Sequence, residues 1–286
     1  MTCPTQNAPR NTAEFASPAS DLGRRPIREA RLDPSPSRFR ISDFIRHSCL
    51  LLILLAFPAF ADSADTEGAA LAKELISQRP ESGTTNVGSL RIRLRGQPPR
   101  VLPLRVIVQP GNPDWLGRYE AGSGTNLCLL LIQRGPAGSR SYTVVEPGPD
   151  GPRTNRPSGN ATMVRFAGSD FWVADLGLEF LHWPAQRIVG REMRRSRGCL
   201  VLESTNPAPA PGAYTRVRSW IDSENRGIVI AEAYDANNKL LKEFTPNDFT
   251  KIEGRWELEE MELRNVQDNS QSIIRFEFGT NAPPAK

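Results

Sequence analysis

Acid–base or nucleophilic catalysis in the body of this chain would have to rest on His182, because the other histidine, His47, lies in an N-terminal leader. A serine or cysteine nucleophile needs an imidazole within hydrogen-bond reach and a third group to orient it. No Gly-x-Ser-x-Gly elbow accompanies His182, and its neighbours Leu181 and Trp183 are apolar. His182 therefore reads as a structural histidine, and the chain as a non-enzyme. The acidic group Glu257, Glu259, Glu260 and Glu262 supplies carboxylates, but Glu257 and Glu259 alternate with Trp256 and Leu258. That spacing is the solvated face of a strand rather than a paired acid and base.

Cys128 and Cys199 each sit in an apolar, strand-like run, Asn126-Leu-Cys-Leu-Leu-Leu-Ile132 and Gly198-Cys-Leu-Val-Leu202. Neither belongs to a metal-ligand spacing, and a thiol in such a run is most simply a small buried hydrophobe, although an oxidising compartment would allow the two to pair. No metal or cofactor is expected. The arginines Arg187, Arg191, Arg194, Arg195 and Arg197 allow two readings. Arg187, Arg191 and Arg194 could meet anionic lipid headgroups, or the run could be a charged hairpin tip that protects a sheet edge. Trp172, Trp183, Trp220 and Trp256 either fill a core or line a ligand cavity. Leu129, Leu131, Trp172 and Leu176 are the residues assigned here to a cavity wall.

The run Cys49-Leu-Leu-Leu-Ile-Leu-Leu-Ala-Phe57 follows Arg38, Arg40 and Arg46 and ends at Ala59-Phe60-Ala61. A basic head, a short apolar core and a small-x-small site make a secretory signal over residues 38–61, cut between Ala61 and Asp62. A membrane span needs roughly 17–25 apolar residues, so a retained anchor is the weaker reading. Residues 1–37, rich in Pro, Ser and Arg, are expected to be a disordered or mis-assigned extension. Residues 1–61 hold 8 of the 36 basic and 5 of the 32 acidic residues, leaving 28 against 27 in residues 62–286. A nearly neutral body excludes nucleic acid as a partner on global charge.

Residues 62–286 are long enough for one sizeable core and read as a single domain. A first helix is expected over Thr66–Arg79, stopped by Pro80. Alternating apolar and polar residues then predict strands over 91–95, 100–108, 115–120, 126–134 and 141–145. The polar, proline-rich stretch 147–159 reads as a surface loop. Phe171–His182 predicts a second helix, apolar around most of its circumference, with Asp175, Glu179 and His182 as its polar strip. Seven further strands are spread over 187–278. The pattern as a whole implies a mainly β, α+β fold of about eleven antiparallel strands curled into a barrel, with two helices.

The second half carries Gly168-Ser-Asp-Phe171, Ala174-Asp-Leu176, Gly190-Arg-Glu192, Cys199-Leu-Val-Leu-Glu203, Trp220-Ile-Asp222, Ala231-Glu-Ala-Tyr-Asp235, Gly254-Arg-Trp256 and Met261-Glu-Leu-Arg-Asn265. In order and spacing these resemble the LolA-type outer membrane lipoprotein-sorting proteins and their uncharacterised LolA/LolB-like branch. The resemblance implies an open antiparallel β-barrel whose helices pack on its concave face around an apolar cavity. It implies a periplasmic carrier of a lipid or lipidated protein, served by an inner- or outer-membrane partner. A scaffold or envelope-assembly module on the same fold is the alternative, and a lipid esterase the third reading.

Overall fold

The alternation seen in the sequence becomes one continuous antiparallel sheet. In the computed structural model, which describes residues 63–278 apart from 113, 136, 137 and 253, thirteen strands share that sheet. The leader, including the Ala61–Asp62 cleavage site, lies outside the described residues. The first meander comprises β1 (Thr84–Arg93), β2 (Arg100–Pro110), β3 (Trp115–Ala121), β4 (Cys128–Arg134), β5 (Arg140–Glu146) and β6 (Arg153–Asn155). The second comprises β7 (Ala185–Arg194), β8 (Arg197–Thr205), β9 (Arg216–Asp222), β10 (Ile228–Tyr234), β11 (Leu240–Ile252), β12 (Arg255–Asn265) and β13 (Ser270–Phe276). Pairing of β1 with β13 joins them, so that β6 and β7 are the free edges of an open sheet.

The strand count exceeds the expected eleven, and β6 shows one reason. It lies inside the stretch read as a loop, where Arg153-Thr-Asn155 finds β5 as a partner despite its flanking prolines. Proline is tolerated beside an edge strand because only one side of the ladder is needed there.

Period-two patterning decides what faces inward. Leu90 and Ile92 of β1, Leu104 and Val106 of β2, and Leu130 and Ile132 of β4 are buried in one cluster with Phe166, Phe171 and Val173. Arg91 and Arg93 alternate outward. On β8 both faces are covered: Leu200 and Leu202 join the second concave cluster, while Cys199 and Val201 pack with Trp220 and Val229 in a separate one. Each fully buried aliphatic or aromatic side chain of this size contributes about 1.5–3 kcal/mol. Cys128 and Cys199 are free thiols, on β4 and β8, near opposite ends of the strand order.

Helix α1 spans Ser63–Ser77, starting three residues before the expected cap, and lays Leu71 and Ala72 against β7 and β8. Gly68 sets its distance, since a Cβ there would lie 2.6 Å from the Arg187 backbone. The second expected helix is absent as such. Val173–Leu176 makes one turn of α-helix, α2, and Glu179–His182 a 3-10 turn. Between them Leu178 is left-handed, with φ +51°. Such a residue costs about 1–3 kcal/mol unless its surroundings hold it.

They do hold it. Residues 164–183 form a plug that crosses from the β6 side of the sheet to β7, and its polar residues are fastened to the strands. Asp170, with no exposed surface, accepts hydrogen bonds from Ser270 (2.7 Å), Ser272 (2.9 Å) and Arg165 (3.0 Å). Glu179 is held by Arg140 and by the Tyr142 hydroxyl at 2.8 Å. Arg134 donates to the Gly177 carbonyl at 3.0 Å, and a Cβ on Gly177 would strike the Tyr142 ring. The polar strip Asp175, Glu179 and His182 is thus largely buried, because a segment lying across a concave sheet has little solvent-facing side. Breaking a buried pair leaves a stranded charge and costs about 3–5 kcal/mol, whereas an exposed pair is worth less than about 1. In urea unfolding followed by tryptophan fluorescence, Asp170→Ala, which leaves the buried Ser270 and Ser272 hydroxyls without their acceptor, should cost about 2–6 kcal/mol. Arg191→Ala, whose bond to Glu67 is exposed, should cost less than about 1 kcal/mol.

Candidate functional site

Between plug and sheet lies an apolar cavity of about 280 Å³. Strands β2, β3, β9, β10, β11, β12 and β13 form its floor through Val106, Tyr119, Val217, Ala231, Ala233, Phe244, Met261, Leu263 and Phe276, among others. The plug roofs it with Phe171, Leu176, Leu178 and Phe180. The space has a local cause: Ala231 and Ala233 occupy inward positions of β10 where larger side chains would fill it. The left-handed turn at Leu178 lets both Leu176 and Phe180 reach this wall from short, non-collinear turns. Its volume lies just under the roughly 300–1,000 Å³ usual for small-molecule pockets, which suits one slender apolar chain with the plug in its present position.

The polar end is a three-residue arrangement around Asp175. Its carboxylate accepts the Tyr214 hydroxyl at 2.8 Å, the Trp172 backbone N–H at 2.8 Å and the Lys242 ammonium at 3.3 Å. Lys242, 2% exposed, also donates to the Asp170 carbonyl at 2.7 Å and lies 3.4 Å from the centroid of the Trp172 ring. Burial lowers the Lys242 pKa from 10.5 to about 8, against the opposing attraction of Asp175. Burial likewise pushes the Tyr214 hydroxyl well above its ordinary value, reinforced by Asp175. The cavity therefore presents apolar walls and one end where a cation and an anion already satisfy each other.

The expected wall residues divide. Leu176 lines the cavity. Trp172 stands one layer behind it, stacked on Tyr214 with ring centroids 4.6 Å apart. Leu129 and Leu131 do not line it: β4 presents Leu130 and Ile132 to the concave core, so the two leucines fall on the opposite face. An uninterrupted run, Leu129-Leu-Leu-Ile132, has no polar residue to mark its phase, so the pattern alone does not decide which alternate pair faces inward. Trp183 is buried beneath α1, Trp220 is buried in the cluster with Cys199, and Trp256 is 70% exposed. Lys242 was not singled out, although it is in phase with the inward Phe244 of β11.

The basic run does not converge. Arg187 lies 3.7 Å from Asp65 and Arg191 2.8 Å from Glu67, both acids on α1, while Arg194 pairs with Glu192 and lies over the Trp220 ring. His182 is held neutral: burial, then Arg140 and Arg134, lower its pKa to about 3. No side chain among the described residues hydrogen-bonds its ring, and its buried Nε2 has no partner. No group of three His, Cys, Asp or Glu residues among the described residues could hold a metal ion. No helix among them is long and apolar enough to cross a membrane.

Comparison with known proteins places this geometry. A family model described as that of an uncharacterised protein matches residues 149–280. No curated protein matches the chain. A domain assigned as an outer membrane lipoprotein-sorting protein from Vibrio parahaemolyticus superposes with a TM-score of 0.61 at 18% identity, over 76% of this chain and 95% of that one. A DUF1329 family protein from Desulfovibrio piger gives 0.60 at 18% identity, over 75% and 92%. A LolA superfamily protein from Nitrosomonas europaea superposes less closely, at 0.46 and 14% identity over 77% and 95%. The fold is that of the lipoprotein-sorting domains, as the sequence resemblance implied.

The buried lysine makes stability depend on pH with a defined sign. Between pH 8 and 10 the unfolded chain keeps the Lys242 proton, at pKa 10.5, while the folded chain releases it near 8. The unfolded state then binds more protons, so stability rises with pH across that window. Above it, the unfolded tyrosines ionise near 10 while Tyr214 resists, and the slope turns downward. Burial also raises the Cys128 and Cys199 thiols, whose unfolded counterparts ionise near 9, and this pulls every series downward alike. Urea midpoints measured at pH 7.5, 8.5 and 9.5 should therefore run more steeply upward, or less steeply downward, in the wild type than in Lys242→Met; parallel series would refute the buried-cation assignment.

Proposed function

We propose that this protein is an exported carrier that holds an acyl chain of a lipid or lipidated protein non-covalently in the cavity under the plug. The supporting observation is the cavity itself: an apolar space roofed by a segment that no strand pairing fixes in place along its length. The lipoprotein-sorting assignment of the Vibrio domain supports the same cargo class. The proposed location is the periplasm, reached through the signal over residues 38–61, and the proposed partners are membrane-associated donors or acceptors of the lipidated cargo.

The energetics fit reversible carriage rather than permanent storage. A chain of about ten methylenes entering the cavity gains about 8 kcal/mol at roughly 0.8 kcal/mol per methylene. Association costs at least about 4 kcal/mol in lost freedom, so the surplus corresponds to weak or moderate binding that a partner could outcompete. Longer chains require the plug to move outward, which its division at Leu178 into two short turns permits.

Filling the cavity separates this reading from a rigid scaffold. Ala233→Phe places a ring in open space if the cavity is a cargo site, and should weaken uptake of a fluorescent fatty acid or a diacylated peptide at least tenfold while leaving the melting temperature unchanged or raised. In a scaffold with a tightly packed interior the same change overpacks the core and costs about 1–3 kcal/mol. Native mass spectrometry of the gently purified protein gives the complementary readout. Co-purified lipid supports the carrier; a bare mass together with no uptake of either probe would support the scaffold.

A further inference from the structure

A second recess lies on the other side of the plug's final turn. Phe180 points to the apolar cavity, whereas Leu181, His182 and Trp183 line a cleft of about 800 Å³ bounded by α1 and the β3, β4 and β5 strands. The two spaces share no lining residue. What distinguishes the cleft is charge. Register places Trp115 of β3 opposite Arg134 of β4, and Arg134 opposite Arg140 of β5, in one row across three strands. Lys73 of α1 and Arg79 just beyond it complete the rim.

Two arginines directly opposite each other on paired strands repel, and here both are largely withdrawn from water. Their compensation is incomplete. Glu179 binds Arg140, with Nε to Oε2 at 2.6 Å, and so neutralises one of them. Arg134 has a peptide carbonyl and the face of Trp115, whose centroid lies 4.8 Å away, but no carboxylate. Its Nε is a buried donor without a partner among the described residues, and the buried Nε2 of His182 in the same cleft is also unpartnered. Asp114, next to Trp115, makes no ion pair with either arginine among the described residues. Lys73 and Arg79 likewise have no ion-pair partner among them.

We propose that this cleft binds a phosphate-bearing ligand, its anion seated between Arg134 and Arg140 and reached by Lys73 and Arg79. A carboxylate is matched by one guanidinium, as Glu179 already demonstrates on Arg140. A phosphate offers more charge and three or four acceptor oxygens, which suits two adjacent planar donors and a flexible ammonium. Trp115 and Trp183 give the neighbouring part of such a ligand apolar walls. Soluble phosphate esters and lipid headgroups share this chemistry. The assignment is independent of what occupies the apolar cavity.

The test uses the purified protein in phosphate-free buffer. Calorimetry with inorganic phosphate and with glycerol 3-phosphate is run beside flotation with vesicles of phosphatidylcholine mixed with phosphatidylglycerol. Arg134→Gln removes the central donor. Because it also releases Gly177, the double variant Lys73→Gln/Arg79→Gln, which breaks no ion pair among the described residues, is measured in parallel. Arg91→Gln/Arg93→Gln, on the outer face of β1, controls for general charge. We expect saturable binding of at least one probe, weakened roughly tenfold or more in Arg134→Gln and in the double variant and within about twofold of wild type in the control. Binding of the small phosphates identifies a soluble ester, and binding of vesicles alone identifies a headgroup. Fatty-acid uptake by the double variant should equal that of the wild type, which keeps this result separable from the fate of the carrier reading. Binding of none of the probes, equal binding by wild type and both cleft variants, or equal loss in the outer-face control would overturn the proposal.

Discussion

The constraint from which the structure follows is that an open antiparallel sheet has a concave apolar face it cannot bury against itself. A closed barrel solves this by joining its edges, but here β6 and β7 remain unpaired with each other. The chain between them must cover the face instead. Covering it with an ideal amphipathic helix would bury one stripe and expose another. Residues 164–183 use short turns that bury nearly everything, including three acidic side chains. An unpartnered charge in such a place costs far more than the fold can spare, so each acid has a partner on a strand: Ser270 and Ser272 for Asp170, Lys242 for Asp175 (with Tyr214 from the β8–β9 connection), Arg140 and Tyr142 for Glu179. These pairs do not maximise stability, since well-packed apolar replacements can match a buried ion pair. They fix where the plug lies.

Fixing it at separate points is what leaves a cavity. Between the anchors of Asp175 and Glu179, residues 176–178 span the gap over β10 without a polar attachment to it, and the alanines beneath fail to fill the space. A plug held by apolar contacts alone could settle further and close it. Polar anchors act as spacers because their geometry is directional and their alternative, an unmade bond to a buried charge, is unfavourable. The same logic explains the lysine in an apolar wall: with Lys242 bound to the Asp170 carbonyl and Asp175 at once, the plug's first half is held to β11 from below.

Much of this was legible in the chain, and the failures have physical reasons. The strands declared themselves wherever charged and apolar residues alternate, as in Arg91-Ile-Arg93, and α1 was found to within three residues at each end. Phase was lost where alternation was lost, at Leu129–Ile132. The helix expected over Phe171–His182 had correct apolar spacing. What it lacked was any account of Asp175 and Glu179, whose partners lie 67 and 39 residues away in sequence. A periodic pattern reports a local preference, and long-range polar pairing overrode it. The mispriced signal was the presence of carboxylates in a segment too apolar to have a wet side. Opposite them, Arg134, Arg140 and Lys242 occupy inward strand positions where a cation makes sense only if an anion is waiting.

That complementarity also links the two recesses. Arg140 belongs to the row that faces the cleft, yet its guanidinium is what secures Glu179 and, through it, the second half of the roof over the apolar cavity. Arg134 faces the same cleft and holds Gly177, the residue just before the left-handed turn. The positions that set the cavity's roof are therefore set by groups exposed to a different space. How far an anion at those arginines would disturb the roof depends on how much of each guanidinium it would claim. Arg140 offers Glu179 both Nε and a terminal nitrogen, whereas Arg134 gives Gly177 one nitrogen and keeps its Nε unpaired, so Arg134 is the member of the pair able to receive a ligand without first releasing the plug.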